Sequence, residues 1–250
     1  ISTRIQEEIL YAALDTSCAM AQEFGPHNNF SKTKAAKGVL TFDTWGVTPS
    51  EGERWEALRE RIMKHGLRNS LLVAIAPTAT IATITGVYEC IEPQVSNLFK
   101  RETLSGDFLQ VNRYLIERLK ALGLWSQDMR DKIKIADGSV QTIEEIPEDV
   151  RKVFRTVWEL PQRALIDMAA DRSPYIDQSQ SLNLFMATPT IGRLSSMYLY
   201  AWKRGLKTTY YLRSRPATSI AKTTVDTKKY SDGEAVACSL ENPEICEACQ

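Results

Sequence analysis

The stretch RNSLLVAIAPTATIA, residues 68–82, decides how the chain is read. Its centre, Leu71-Leu72-Val73-Ala74-Ile75-Ala76, is a short continuous apolar run that Pro77 ends. Such a run suits a strand buried on both faces, as in a parallel α/β sheet. The residues that follow, Pro77-Thr78-Ala79-Thr80-Ile81-Ala82, read as a strand-to-helix junction in which Thr78 or Thr80 caps the helix. Free N–H groups at such a junction, with the positive end of the helix dipole, make an anion site. No Gly-rich phosphate loop and no Lys accompany it, which excludes a Walker-type NTPase. From the local residues alone, a simple N-cap is the plainer reading.

The neighbouring segments extend the α/β pattern. Thr3–Phe24 carries Ile5, Ile9, Leu10, Ala13, Leu14 and Cys18 at helical spacing, and Gly25-Pro26 stops it. Residues 26–52 read as loop, and Glu53–Lys64 as a second helix ended near Gly66. Beyond the apolar run, Ser96–Leu104 reads as extended, Asp107–Gly123 and Ser126–Ile135 as helices, and Asp137-Gly138 as a turn. Pro147–Arg172 has helical periodicity that Pro161 kinks or breaks. Ser179–Ala187 reads as a strand, Pro189–Arg204 as a helix stopped by Gly205, and Leu206–Arg213 as a strand. Strands alternating with helices argue for α/β with parallel strands. Residues 216–250 hold few large apolar side chains and read as a flexible tail that buries too little surface to offset its ordering entropy. The expected organisation is therefore a domain over residues 1–215 and a tail over 216–250.

Composition narrows the function classes. The chain has 250 residues, 43% hydrophobic and 25% charged, which is ordinary for a globular protein. Lys plus Arg equals Asp plus Glu, so no global field favours nucleic acid or an anionic membrane. The longest apolar run is far too short to span a bilayer, and Ile1–Glu8 has no apolar region of the signal-peptide kind. The five cysteines are odd in number and three crowd the last 13 residues, which suits a reducing, cytoplasmic setting better than an extracellular disulfide framework. His27 and His65, the two histidines, lie in different segments, against a His-based metal site.

Two further motifs could carry chemistry. Cys246-Glu247-Ala248-Cys249 places two thiols where they can close an intramolecular disulfide, and on a leash they can enter a pocket, exchange there and swing out to a reductant. The plainer alternatives are a tail pair without a role, or a metal site to which Cys238 adds a third ligand and a second chain a fourth. Glu241, Glu244 and Glu247 disfavour thiolate, so fast exchange calls for a positive or desolvated docking site. Tyr210-Tyr211 sits in an expected strand, where adjacent side chains point to opposite faces. Core or rim packing is the plain reading there, and a functional stack of both rings requires the strand to bend or end. The polar run Asp177–Asn183 could line a pocket or form a solvated face.

Together these segments resemble the large subunit of class I ribonucleotide reductases, especially the eukaryotic-type branch. The stretches that carry the likeness are RNSLLVAIAPTATIA (68–82), IEPQVSNLFKRETLSGDF (91–108), GLW (123–125), YIDQSQSLN (175–183), GLKTTYYLRSRPA (205–217) and CSLENPEICEAC (238–249). Each is weak alone, but the ordered set is highly specific and runs over essentially the whole chain. The resemblance implies the C-terminal part of a ten-stranded α/β barrel and the reduction of ribonucleoside diphosphates to deoxyribonucleoside diphosphates. It assigns substrate phosphate binding to Pro77, Thr78, Ala79, Thr80 and Ile81. The family usually has Ser-Thr where this chain has Thr80-Ile81, so the hydroxyl contact at Ile81 is lost and backbone N–H contacts are left. It assigns a radical relay to Tyr210 and Tyr211, and re-reduction of the active-site disulfide to Cys246 and Cys249.

The resemblance also sets expectations about what lies elsewhere. The thiyl-radical cysteine, the reducible pair, the Asn and Glu proton-transfer residues and the ATP/dNTP effector sites with Mg belong to a portion upstream of Ile1. Cys18, in a helix, and Cys90, in a loop, are not matches for those cysteines and read as structural. No cofactor is expected on this chain; the metal-radical cofactor belongs to a small subunit. Expected partners are the upstream portion, the small radical-generating subunit, thioredoxin or glutaredoxin, and the nucleoside diphosphate, with no nucleic acid or membrane. Half a barrel leaves strand edges and a core face uncovered, so the chain alone is expected to be inactive. Two other readings compete: a cobalamin-dependent class II reductase fragment, against which Tyr210-Tyr211 speaks, and a non-catalytic split-gene half that only binds its partner half.

Overall fold

The computed structural model describes residues 1–103 and 106–215. In chain order the elements are α1 (Ser2–Phe24), α2 (Gly52–His65), α3 (Ala79–Thr85), β1 (Leu98–Thr103), β2 (Gly106–Val111), α4 (Arg113–Ala121), α5 (Gln127–Ile135), α6 (Glu148–Val153), α7 (Gln162–Arg172), β3 (Leu184–Phe185), α8 (Ile191–Lys203) and β4 (Leu212–Arg213). They fall into two compact units. The expected tail, with Cys238, Cys246 and Cys249, lies outside the described residues.

The first unit holds residues 1–91, 163–184 and 195–211. Its core begins where α1 and α2 pack together. Leu10, Leu14, Cys18 and Ala21 share the buried face of α1, and Trp55, Leu58 and Ile62 that of α2. Burying one such Leu or Ile contributes about 1.5–3 kcal/mol. Phe42 and Tyr175 complete an aromatic cluster around Trp55, with the Phe42 and Trp55 rings edge-to-face at 4.8 Å. Glu7 is buried among them because its Oε1 is well supplied with donors. It accepts from the Ser50 amide at 2.7 Å, the Ser50 hydroxyl at 2.9 Å and the Trp55 indole N–H at 3.0 Å. Burial, and the charge and hydrogen bond of Glu7, push the Tyr175 phenol up to about 12.

Among the described residues the second unit holds 92–162, 185–194 and 212–215. β1 and β2 form an antiparallel hairpin in register from Leu98↔Val111 to Thr103↔Gly106. Leu115 and Leu119 of α4, Met129 and Ile133 of α5, and Val140, Ile143, Ile146 and Val150 form its core. Ser126 caps α5 by accepting from the Met129 amide at 3.1 Å. Asn97 ties the unit together, donating from Nδ2 to the carbonyls of Gly138 at 3.0 Å and Phe154 at 2.8 Å.

Several sequence expectations need correction. Ile5 and Ile9 are 57% and 48% exposed, because the buried face of α1 is centred on Leu10, Leu14 and Cys18 and takes in Glu7 instead. Residues 26–52 are not plain loop: short 3₁₀ turns at Phe30–Lys32, Ala35–Lys37 and Phe42–Trp45 deliver Phe42 to the core. Residues 107–111 are strand, not helix, since they pair across the hairpin, and α4 starts only after Asn112, whose side chain caps it. The stretch 147–172 divides into α6, a 3₁₀ turn at Val157–Glu159 and α7, with Pro161 in the last break. The run 71–76 is extended but not covered on both faces. Val73 is buried while Ala74 and Ala76 are exposed, because alternate residues of an extended chain project to opposite sides, and Leu71 at the start of the run is exposed as well.

Three extended segments nevertheless lie side by side and parallel. Ile75 bridges Gln180, its N–H donating to the Ser179 carbonyl at 3.2 Å and its carbonyl accepting from Ser181 at 2.9 Å. On the other side, Tyr210 donates to Leu182 at 2.7 Å and Leu184 to Tyr211 at 2.9 Å. The formal strands are much shorter than the expected 179–187 and 206–213. Among the described residues there is no closed barrel: β1 pairs only with β2, and β3 only with β4. No described helix is long and apolar enough to cross a membrane.

Gly138 shows how tight the second unit is. At φ +80° it approaches Ser96 so closely that an added Cβ would lie 1.8 Å from the Ser96 Oγ and 2.9 Å from the Asn97 amide. Gly123, at φ +70°, has nothing within 4 Å of an added Cβ. Gly138→Ala is therefore expected to cost about 3 kcal/mol or more, and Gly123→Ala only about 1–2 kcal/mol of backbone strain, as read by chemical denaturation. Equal losses would contradict the packing described.

Candidate functional site

The site is assembled on the parallel ladder. Asp177 fixes its first edge: the carboxylate accepts from the Leu72 amide at 2.7 Å and the Val73 amide at 2.8 Å. Gln178 then donates to the Val73 carbonyl at 3.1 Å, which sets the register continued by Ile75. The run Asp177–Asn183 is thus neither a pocket lining nor a solvated face as a whole. Gln180 is buried, and its Nε2 donates to the Ala169 carbonyl at 2.7 Å and the Ser173 hydroxyl at 2.9 Å. The cavity beside Ser173, Gln178, Gln180, Lys207 and Thr208 measures about 10 Å³, the size of one water.

At the C-terminal end of the first strand the chain turns through Pro77. Thr78 occupies the N-cap position of α3 at φ +53°, and its side chain makes no capping bond. The expectation of a Thr cap fails, because in this left-handed conformation the residue serves through its carbonyl. That carbonyl accepts from Ala82 at 2.8 Å, so the amides of Ala79, Thr80 and Ile81 precede the first intrahelical bond. Thr78, Ala79, Thr80 and Ile81 are all exposed, Ile81 at 65%. The turn is held from behind by Cys90, whose N–H donates to the Pro77 carbonyl at 3.1 Å. The Cys90 thiol accepts from the Asn183 Nδ2 at 3.4 Å, which links the turn to the middle segment. Cys18 is fully buried, and burial pushes its thiol up, with Arg61 opposing.

Tyr210 and Tyr211 flank the same middle segment from the other side. Neither is part of β4, which begins at Leu212. Released from strict strand alternation, the two rings approach to 4.0 Å between centroids at an interplanar angle of 47°. Both are partly exposed, at 45% and 56%. Ile75 thus stands level with residue 180 and the Tyr210 amide reaches the carbonyl of residue 182, so the Pro77–Ile81 turn and the tyrosine pair leave the two outer segments of one ladder, with the middle segment between them. Cys246 and Cys249 fall outside the described residues. Among the described residues no three His, Cys, Asp or Glu side chains are grouped to hold a metal ion.

Sequence reasoning missed Lys207 and the paired role of Asp177 and Asn183. Their signal was weak: single polar residues at the edges of apolar segments, with partners about 30 to 105 positions away.

Comparison with known proteins gives this arrangement its context. Residues 1–212 match the family model described as "Ribonucleotide reductase, barrel domain". The chain belongs to the ribonucleotide reductase family. It is 42% identical to the ribonucleoside-diphosphate reductase large chain of Schizosaccharomyces pombe, over 100% of this chain and 35% of that protein. It is 48% identical to the large subunit from Caenorhabditis elegans, over 90% of this chain and 29% of that protein. Among solved structures it is similar to the Actinobacillus ureae class Id ribonucleotide reductase alpha subunit, with a TM-score of 0.63 and 30% identity. That match covers 86% of this chain and 34% of the other. This reductase-family chain therefore spans about a third of the length of the relatives it matches.

The ladder depends most on Asp177. Asp177→Ala removes an acceptor shared by two amides and is expected to lower stability by about 2–4 kcal/mol in denaturant unfolding. A change below about 0.5 kcal/mol would show that water replaces the carboxylate without loss.

Proposed function

We propose that this chain is the C-terminal portion of a class I ribonucleoside-diphosphate reductase large subunit. The observation that carries the reading is the pairing of Tyr210 and Tyr211, partly exposed and 4.0 Å apart at the start of a parallel strand. Two phenols in contact suit stepwise transfer of one proton and one electron, and a packing role gives no reason for both to stay half in solvent. The family relationship supports the same reading.

In this reading the substrate's phosphates meet the exposed turn Pro77–Ile81. The amides of Ala79, Thr80 and Ile81 supply donors, and the Thr80 hydroxyl adds one more. Ile81 contributes its backbone alone. The small subunit's metal-radical cofactor supplies the oxidising equivalent when that subunit is docked. Tyr211 and Tyr210 carry it inward, each giving up a proton and an electron to the neighbour that was oxidised before it. Reduction of one ribonucleotide takes two electrons, which leaves a disulfide among the cysteines assigned to the rest of the large subunit. Cys246 and Cys249 then exchange with that disulfide, becoming oxidised themselves, and thioredoxin or glutaredoxin restores them. ATP and dNTP effectors with Mg act on the rest of the subunit. A cytoplasmic setting fits this thiol chemistry.

The test uses the chain assembled with the remaining large-subunit portion and a small subunit. Tyr210→Phe or Tyr211→Phe is expected to abolish nucleoside diphosphate reduction, because a phenyl ring has no O–H to oxidise. Normal turnover would favour the class II alternative. A second expectation concerns the tail. Cys246→Ser or Cys249→Ser should block turnover with thioredoxin and spare turnover with a small dithiol. Equal loss with both reductants would count against a shuttle.

A further inference from the structure

Lys207 stands between Gly205, in the turn that follows α8, and the tyrosine pair. Its Nζ donates to the carbonyls of Ile176 at 2.9 Å and Gln178 at 2.8 Å, and more distantly to that of Asp177 at 3.5 Å. An ammonium carries three donors and no acceptor, so a group of converging carbonyls is the environment it fits. The residue as a whole is exposed, yet its ammonium is folded against the main chain. Loss of solvent there pulls the ammonium below the usual lysine range, with the Asp177 charge opposing.

Residue 177 is consequently held from two directions. Its carboxylate grips the Leu72 and Val73 amides, and its main chain lies under the Lys207 ammonium. Downstream of Lys207, the Thr208 hydroxyl donates to the Gln180 carbonyl at 3.3 Å and the Tyr210 amide to Leu182 at 2.7 Å. The bonds continue in register from the lysine to the tyrosines. We propose that Lys207 is a positioning residue: it locks the segment bearing Tyr210 and Tyr211 onto residues 176–178 and, through Asp177, onto the strand that carries the Pro77–Ile81 turn. One clasp thus sets the placement of both the phosphate turn and the phenol pair. The structural half of this inference stands on the bonds above, and its catalytic half rests on the proposed reductase function.

Lys207→Met keeps a long stem and removes the donors, whereas Lys207→Arg keeps charge and donors. Amide hydrogen exchange on the 250-residue chain reads the structural half. In Lys207→Met the amides of Leu72, Val73 and Tyr210 are expected to exchange together, at least about tenfold faster than in the parent, with α1 unchanged and the Arg variant close to the parent. Loosening at Tyr210 alone, with Leu72 and Val73 still protected, would overturn the coupling. If Lys207→Met does not fold, Lys207→Gln takes its place. Uniform loss across α1 and the ladder in both variants would equally overturn it, since Lys207 would then be a general support. In the assembled reductase, Lys207→Met is expected to raise KM for the nucleoside diphosphate and lower kcat, each by about ten- to a hundredfold, and Lys207→Arg to restore both. A fall in kcat with KM unchanged would contradict the coupling. An assembled parent without turnover would count against the proposed function instead, and the exchange comparison would still decide this inference.

Discussion

The carboxylate of Asp177 holds the amides of Leu72 and Val73, and the parallel ladder of the first unit is registered on that contact. Two charge-assisted bonds from adjacent amides fix both position and direction of the incoming strand. From there the parallel ladder runs without interruption through Val73, Ile75, Gln178, Ser181, Leu182 and Tyr210. Both candidate features adjoin it: the turn at Pro77 and the tyrosines that precede β4. A ladder of main-chain bonds is well suited to this task, because it tolerates side-chain variation while it preserves spacing to a fraction of an ångström.

Much of this was legible in the residues. Gly25, Gly66 and Gly205 mark helix ends, and each takes a positive φ that other residues adopt at a cost. The apolar spacing of Trp55, Leu58 and Ile62 reproduces the buried face of α2. What the residues concealed has a common cause: tertiary contact outweighed local preference. Residues 107–111 carry apolar side chains compatible with helix, and only pairing with β1 decides for strand. Ile5 and Ile9 fit the helical stripe of α1, but the core has room on the other side for Glu7, since Ser50 and Trp55 supply its donors. The apolar run at 71–76 suggested burial on both faces, and its alternation with burial of Val73 is visible only once a sheet face has been chosen.

The candidate site was legible in part, through family likeness more than local rules. Tyr210-Tyr211 in a regular strand would point apart, and their contact exists because the strand starts one residue later. Thr78 looked like a side-chain cap, yet its left-handed backbone leaves the three following amides ahead of the first helical bond. That geometry suits an anion better than an ordinary cap does, and it uses no side chain at Ile81. The departure at Ile81 is thus compatible with a turn that works through its backbone. Asp177, Asn183 and Lys207 lie in stretches that carry the family likeness, but nothing local announced their contacts, since each joins segments far apart in sequence.

In the proposed function, one ladder presents both a phosphate turn and a phenol pair to a nucleoside diphosphate reductase centre. A crystal structure of the assembled large subunit with a nucleoside diphosphate bound tests it most directly. Phosphate oxygens are expected within hydrogen-bond distance of the amides of Ala79, Thr80 and Ile81, with the Tyr210 and Tyr211 rings in contact beyond the next strand. A diphosphate held elsewhere, with that turn facing solvent, would contradict it.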